Sequence, residues 1–355
     1  MDEKTNTRSP KTLQALCVDT ICRSLPRLNG ELPPGLPPDM VGDIINSLQS
    51  HKALNATTLR SLKYCELNEL SLVHSRGVTD DWLQPLGQPS CSDTTMTAEE
   101  DEKSSSTSSF VSASSAPLDS GTAMEPDMQA NHSTMAASLT ILDLRGSISL
   151  SDRGLMQLAH MEHLQICKLD GCHSLAGRGL VILEKSYSLH TLSLANCRRL
   201  QDEAIINISH LVALEHLTLD GCRCLTNRSL EALANLSNLR KLDLSQCELL
   251  TNEGLEFLQE LELLEELSLG WCRLVSDDGI EQLTLQPGRA EFLKILRLAR
   301  CPITDDGVGY LGRLRCLQEL DLNGCSSVGS VALGETLGLL EHLQVLDVSF
   351  TPGIL

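Results

Sequence analysis

The sequence predicts an α/β solenoid, with a curved parallel sheet inside and helices outside. Three observations predict it. A leucine recurs at Leu139, Leu164, Leu189, Leu214, Leu239 and Leu264, 25 residues apart each time, and again at Leu293, Leu317 and Leu343 after steps of 29, 24 and 26. Each recurrence opens the same phrase, L-x-x-L-x-L-x-x-C-x-x-L-[ST]-[DN]-x-x-L-x-x-L. Aromatic residues make up only 3% of the chain, as expected where leucine fills the core. A period in the twenties with this spacing is the signature of leucine-rich repeats. One repeat cannot bury its leucines alone, but stacked repeats share a long core.

Within one repeat, Leu217 and Leu219 alternate with Thr218 as a short strand does, leucines inward and threonine on the open face. Leu225-Thr226-Asn227 then turns the chain. Thr226 or Asn227 is suited to cap a helix whose apolar side is Leu230 and Leu233. The same capping pair recurs as Ser151-Asp152, Thr251-Asn252, Ser276-Asp277 and Thr304-Asp305.

Ahead of the repeats, residues 1–10 read as a polar, disordered leader. Residues 11–66 read as a helical segment that caps the solenoid or binds an adaptor. Leu13, Leu16, Cys17, Ile21 and Leu25 fall on one helical face; residues 32–38 are proline-rich and break that helix; a second helix carries Met40, Ile44, Ile45 and Leu48. Residues 67–86 fit the repeat register and predict the first repeat. Residues 87–138 lack it. The serine run Ser104–Ser109, broken only by Thr107, and the acidic run Glu99–Glu102 predict a disordered insertion. The solenoid resumes over 139–355, where the last repeat is incomplete, so the native chain is expected to continue beyond Leu355 or to be a fragment.

Seven of the 14 cysteines, Cys172, Cys197, Cys222, Cys247, Cys272, Cys301 and Cys325, share the ninth repeat position. Metal sites want paired C-x-x-C spacings or histidines, which are missing here. A small buried hydrophobe with a weak S–H donor fits the column better. So many unpaired thiols imply a reducing compartment, cytoplasmic or nuclear. The net charge of −19 argues against nucleic acid and anionic membranes as partners. No apolar run approaches the ~18 residues of a membrane span. No glycine-rich phosphate loop, HExxH or other catalytic constellation is present, so an enzyme is not expected and no cofactor is implied.

Two patterns precede the repeats. Thr12-Leu13-x-x-x-Cys17-x-x-x-Ile21 fits the elongin-binding BC-box, and Leu36-Pro37-x-x-Met40-x-x-x-Ile44 fits a cullin box. The first places Leu13, Cys17 and Ile21 on one helical stripe, the form in which an amphipathic helix fills a hydrophobic groove. With the cysteine-type repeats behind them, the layout resembles the Zyg/Zer family of substrate receptors for elongin–cullin ubiquitin ligases. That resemblance implies elongin B/C and a cullin as partners, and a protein substrate. Residues 36–48 also look like the opening of an F-box, which would imply Skp1; Cys65 and Trp82 are the only nearby counterparts of its late cysteine and tryptophan. A ligase-independent protein-interaction scaffold is the third reading. On the concave face, Arg240, Lys241, Trp271, Lys294, Arg297 and Arg300 predict a basic, partner-binding patch. Trp271 and Arg300 hold equivalent positions in successive repeats, about 5 Å apart if they follow strand spacing.

Overall fold

A computed structural model describes residues 12–25, 32, 35–73, 75, 77–87, 135–158, 161–285 and 292–354. The predicted leader and most of the predicted insertion, including its serine and acidic runs, lie outside the described residues. Ten three-residue strands form one sheet in sequence order, every neighbouring pair parallel. They are β1 (Glu69–Ser71), β2 (Ile141–Asp143), β3 (Ile166–Lys168), β4 (Thr191–Ser193), β5 (His216–Thr218), β6 (Lys241–Asp243), β7 (Glu266–Ser268), β8 (Ile295–Arg297), β9 (Glu319–Asp321) and β10 (Val345–Asp347).

The alternation of the sequence sets the register. Leu142, Leu192, Leu217, Leu242, Leu267, Leu296 and Leu320 stack as one buried middle row, in which Cys167 takes a leucine's place. β1 pairs directly with β2, Leu70 opposite Leu142, so the first repeat joins the second across the insertion. The return segments are short α-helices, except for 3₁₀ turns over Arg178–Lys185 and Asn252–Glu260.

The insertion is narrower than its sequence suggests. Met135–Ser138 is a helical turn with Met135 and Ala136 fully buried. The Ser138 hydroxyl accepts from the Leu67 N–H at 3.0 Å and donates to the Leu67 carbonyl at 3.1 Å. The end of the insertion is therefore part of the core, placed there by two apolar residues outside the repeat register.

Two polar ladders lock the repeats. On the inner side each column cysteine donates its S–H to the carbonyl of the last strand leucine one repeat back: Cys172 to Leu144, Cys197 to Leu169, Cys222 to Leu194, Cys247 to Leu219, Cys272 to Leu244, Cys301 to Leu269 and Cys325 to Leu298, over 3.1–3.4 Å. That carbonyl also accepts a backbone N–H of its own repeat, as Leu194 does from Cys197 at 3.2 Å, so both its lone pairs are used. Thr351 does the same with its hydroxyl toward Leu322, at 3.1 Å. At the head of the column stands Ser147, whose buried hydroxyl has no partner among the described residues.

The second ladder runs through the predicted cap pairs. Ser151, Thr226 and Thr304 do cap helices, accepting from Arg153, Arg228 and Asp306 N–H groups. The acidic or amide residue beside each does something else: it reaches into the next repeat. Asp202 accepts from the Thr226 N–H at 2.8 Å, the Thr226 hydroxyl at 2.7 Å and the Ser229 hydroxyl. Asp277 likewise accepts from the Thr304 N–H and hydroxyl and Asp80 from those of Ser151, while Asn227 and Asn252 accept the N–H of Thr251 and Ser276 and donate to their hydroxyls. A glycine receives the side chain where it crosses. A Cβ built on Gly307 would collide with the Asp277 carboxylate, and one on Gly254 with the Asn227 amide.

N-terminal to the repeats, α1 (Leu13–Ser24), α2 (Pro38–Ser50) and α3 (Ala56–Arg60) close the sheet. Proline starts α2 because its missing N–H is not needed in the first turn. Asn55 and Thr58 form a reciprocal capping box on α3. Val41, Ile44, Ile45 and Leu48 bury one face of α2, and Gln49 donates to the Ser71 carbonyl of β1 at 2.5 Å.

Candidate functional site

Two surfaces hold the residues singled out from the sequence. The first is α1. Thr12 caps it through the Ala15 N–H at 3.2 Å, and it packs on α2 through Val18, with Cys22 directing its thiol at the Ile44 carbonyl. Gln14 adds a bond to Asp43 at 2.8 Å. The opposite face is open: Leu13 is 79% exposed, Leu16 49%, and Cys17 is exposed, while Ile21 is half-buried at the boundary. The buried stripe of α1 is thus rotated from the predicted one.

The second predicted motif divides differently. Pro37 is exposed and Leu36 and Met40 are half-buried, but Ile44 is completely buried. Ile44 is a core residue and cannot contact a partner as predicted, because α2 turns it toward the first repeat. Cys65 and Trp82, the counterparts of the F-box residues, are likewise buried in the core.

The second surface is the concave sheet, and its charge differs from the sequence reading. Arg240 pairs with Glu265 at 2.6 Å, Lys294 with the other oxygen of Glu265 at 2.7 Å, Lys241 with Glu266 at 2.5 Å and Arg297 with Glu319 at 2.8 Å. The Lys294 hydrogen bond is the main cause holding the Glu265 carboxyl below its ordinary pKa, with Arg240 adding to it against desolvation. Four of the six predicted cation-patch residues are therefore neutralised by glutamates of a neighbouring repeat, at the matching position for Arg240, Lys241 and Lys294 and two residues off it for Arg297. The expected basic strand patch is a row of compensated pairs.

Further along the concave face, Asp143, Asp170, Asp220 and Asp243 line the sheet. Arg145 grips Asp143 through two nitrogens, at 2.9 and 2.7 Å. Burial raises the Asp220 carboxyl, reinforced by Asp243; burial lowers His216, reinforced by Lys241. A cavity of about 420 Å³ runs over these strands, lined by Arg145, Asp170, His216, Lys241, Asp243 and Arg297 among others.

Trp271 and Arg300 remain, and the structure brings them together. The guanidinium carbon of Arg300 lies 4.8 Å from the Trp271 ring centre. They sit in the turn just after the strand, where the backbone is left-handed in repeat after repeat: Gly146, Gly171, Asn196, Gly221, Gln246, Trp271, Arg300, Gly324 and Phe350 have φ between 57° and 76°. Glycine adopts that conformation freely; a tryptophan or arginine there carries roughly 1–2 kcal/mol of strain.

Burial dominates the thiols. It pushes Cys172, Cys222 and Cys272 up to about 12 and Cys325 to about 11, so these sulfurs stay protonated at neutral pH. No group of three or more His, Cys, Asp or Glu side chains suited to a metal ion occurs among the described residues, nor a helix long and apolar enough to cross a membrane.

The strand register and the repeat phrase define the class: an α/β leucine-rich repeat solenoid. A family profile described as Leucine Rich repeat matches residues 235–258, 261–283 and 290–312. No curated protein matches the chain in sequence. Among solved structures, the chain is similar to the internalin InlF of Listeria monocytogenes, with 22% identity and a TM-score of 0.44 over 62% of this chain and 64% of that one. It spans just under two thirds of that chain's length. The internalin C2 of the same bacterium gives 22% identity and 0.45 over 61% and 83%; the Rad7 and Elc1 complex in yeast gives 18% and 0.40 over 98% and 95%.

Proposed function

We propose that the chain is a non-catalytic substrate receptor of a cullin-RING ubiquitin ligase, held by elongin B/C through α1 and holding a protein substrate on the repeats. The observation that carries this is the open face of α1. Three side chains that a structural cap would bury, Leu13, Leu16 and Cys17, face outward from a helix whose other side is already packed. Leu13 and Cys17 are BC-box positions, with Leu16 between them, and an exposed leucine on a docked helix is the form a groove-binding anchor takes. The cullin contact, on this reading, falls to Leu36, Pro37 and Met40 without Ile44.

Capture of purified elongin B/C by the full chain tests it. Leu13→Ala with Cys17→Ala should abolish capture and leave the melting of the repeats nearly unchanged, since neither side chain is buried. Leu36→Ala with Pro37→Ala should remove the cullin and spare elongin. Capture of Skp1 instead by the wild-type chain would establish the F-box reading; capture of neither adaptor would leave only a protein-binding scaffold.

A further inference from the structure

We infer that the turn edge of the solenoid, rather than its strand face, binds an extended acidic peptide of a partner protein, with an apolar side chain of that peptide seated on Trp271. This rests on the reading of the repeats as a protein-binding surface, but not on the adaptor.

The residue after each column cysteine lies on this edge, and in successive repeats it is Arg198, Arg223, Glu248 and Arg273. Arg199 adjoins the first, and Arg300 closes the row beside Trp271. All five arginines are exposed. Arg223 has a loose partner in Glu248 at 3.5 Å. Arg198, Arg199, Arg273 and Arg300 have no ion pair among the described residues, unlike Arg240, Lys241, Lys294 and Arg297. On a chain of net charge −19, a run of uncompensated guanidinium groups is a local reversal of sign.

The edge is also apolar in its middle. Trp271 is 42% exposed, and Leu249 and Leu274 are about half exposed on neighbouring turns, which run side by side through the Thr251–Leu274 bridge. A depression of about 270 Å³ opens there, lined by Arg223, Gln246, Glu248, Trp271 and Arg273. Gly324 leaves room for Arg300 to lie flat, since a Cβ there would come within 3.0 Å of its side chain. Strain is retained at Trp271 and Arg300 alike, where Gly146, Gly171, Asn196, Gly221, Gln246 and Gly324 stand in other repeats and Phe350 in the last. Guanidinium groups select carboxylates, and the indole face selects an apolar side chain. Four repeat steps from Arg198 to Arg300, at ~4.8 Å each, span ~19 Å, the length of about six extended residues. Glu248 interrupts the row, so the residue above it should be uncharged or basic.

The test is fluorescence anisotropy of the full chain with a labelled peptide, Asp-Glu-Asp-Leu-Phe-Glu-Asp-Glu. Arg198→Glu with Arg273→Glu, and separately Trp271→Ala, should each weaken binding by at least about tenfold. Lys241→Gln with Lys294→Gln, on the strand face, should change it by less than about twofold, and raising salt from about 0.05 M to about 0.2 M should weaken it several-fold. Arg198→Gln with Arg273→Gln serves if the reversed charges lower the melting temperature. Undiminished binding by the edge variants, loss in the strand-face variant, no binding of the peptide, or tighter binding of a single-stranded oligonucleotide would each overturn the inference. Elongin capture by the same edge variants separates the readings: it stays intact if α1 is the adaptor site, and its failure in wild type leaves the peptide result standing.

Discussion

Removing the Asp202 carboxylate should open one joint of the solenoid. This residue is 8% exposed and accepts three hydrogen bonds from the following repeat. Asp202→Ala leaves the Thr226 N–H and the fully buried Ser229 hydroxyl unpaired, and each orphaned donor costs about 1–3 kcal/mol. Ser229 can recover part of its share by turning to a helix carbonyl, so a loss of about 3 kcal/mol is expected. Asp202→Asn should cost about 1 kcal/mol or less, because Asn227 and Asn252 hold the same rung in later repeats, accepting the backbone N–H and donating to the hydroxyl. The acid dependence follows from the carboxyl's environment. Burial alone would raise its pKa, but the bonds from Ser229 and Thr226, with Arg228 nearby, outweigh burial and hold it below the ordinary aspartate range. A carboxyl depressed by folding stabilises fully above its unfolded pKa, and that contribution fades as pH falls through the folded value. The gap between wild type and Asp202→Asn should therefore be constant at neutral pH and narrow below about pH 4. Urea melts give the magnitudes, and hydrogen exchange at the Thr226 amide localises the opening. An alanine variant within about 0.5 kcal/mol of wild type, or an asparagine variant as damaged as the alanine one, would refute the ladder as a source of stability.

Two further outcomes follow from the same core. Gly307→Ala should destabilise by about 2 kcal/mol or more through overpacking against Asp277, whereas Gly309→Ala, on the exposed side of the same helix with nothing within 4 Å, should be neutral or stabilise by about 0.5–1 kcal/mol. Equal melts for the two would show that the glycine does not accommodate the rung. In native alkylation followed by mass spectrometry, Cys17 and Cys224 should react well before the column cysteines, which label only on unfolding; early modification of Cys222 or Cys272 would contradict their burial.

Much of this was readable in the residues, and the limits have physical causes. Leucine spacing determines the strand register because side chains alternate on a strand, so the sheet from Leu142 to Leu320 follows from a 25-residue period. The caps at Ser151, Thr226 and Thr304 are local and equally legible. The reach of Asp152 and Asn227 is not, because their partners lie about one period downstream: Asn227 sits 24 residues from Thr251, and a cap reading explains their identity without that reach. Met135 and Ala136 carry no register and so looked like part of the insertion. The neutralised strand charges were there to be found: Arg240 and Glu265 are 25 residues apart, one repeat, and a column-by-column reading pairs them. The left-handed column was visible as Gly146, Gly171, Gly221 and Gly324, and it sets Trp271 and Arg300 apart. For α1, apolar spacing alone could not say which stripe packs, since Val18 and Cys22 compete with Cys17 and Ile21 one position away.

The two ladders give each joint a direction. The column thiols look back one repeat and the Asp and Asn side chains of the second ladder look forward, so the joint is heterologous, like the contact of an open filament, and no twofold axis can relate its halves. Two copies could add to each other by this joint only head to tail, and for that the head must be bare. In this chain it is occupied: Ile44, Ile45, Leu48 and Leu59 fill the apolar face beside β1, and Gln49 takes the Ser71 carbonyl that an incoming strand would need. The N-terminal helices thus serve as a stopper against polymerisation as well as the base from which α1 presents its free face.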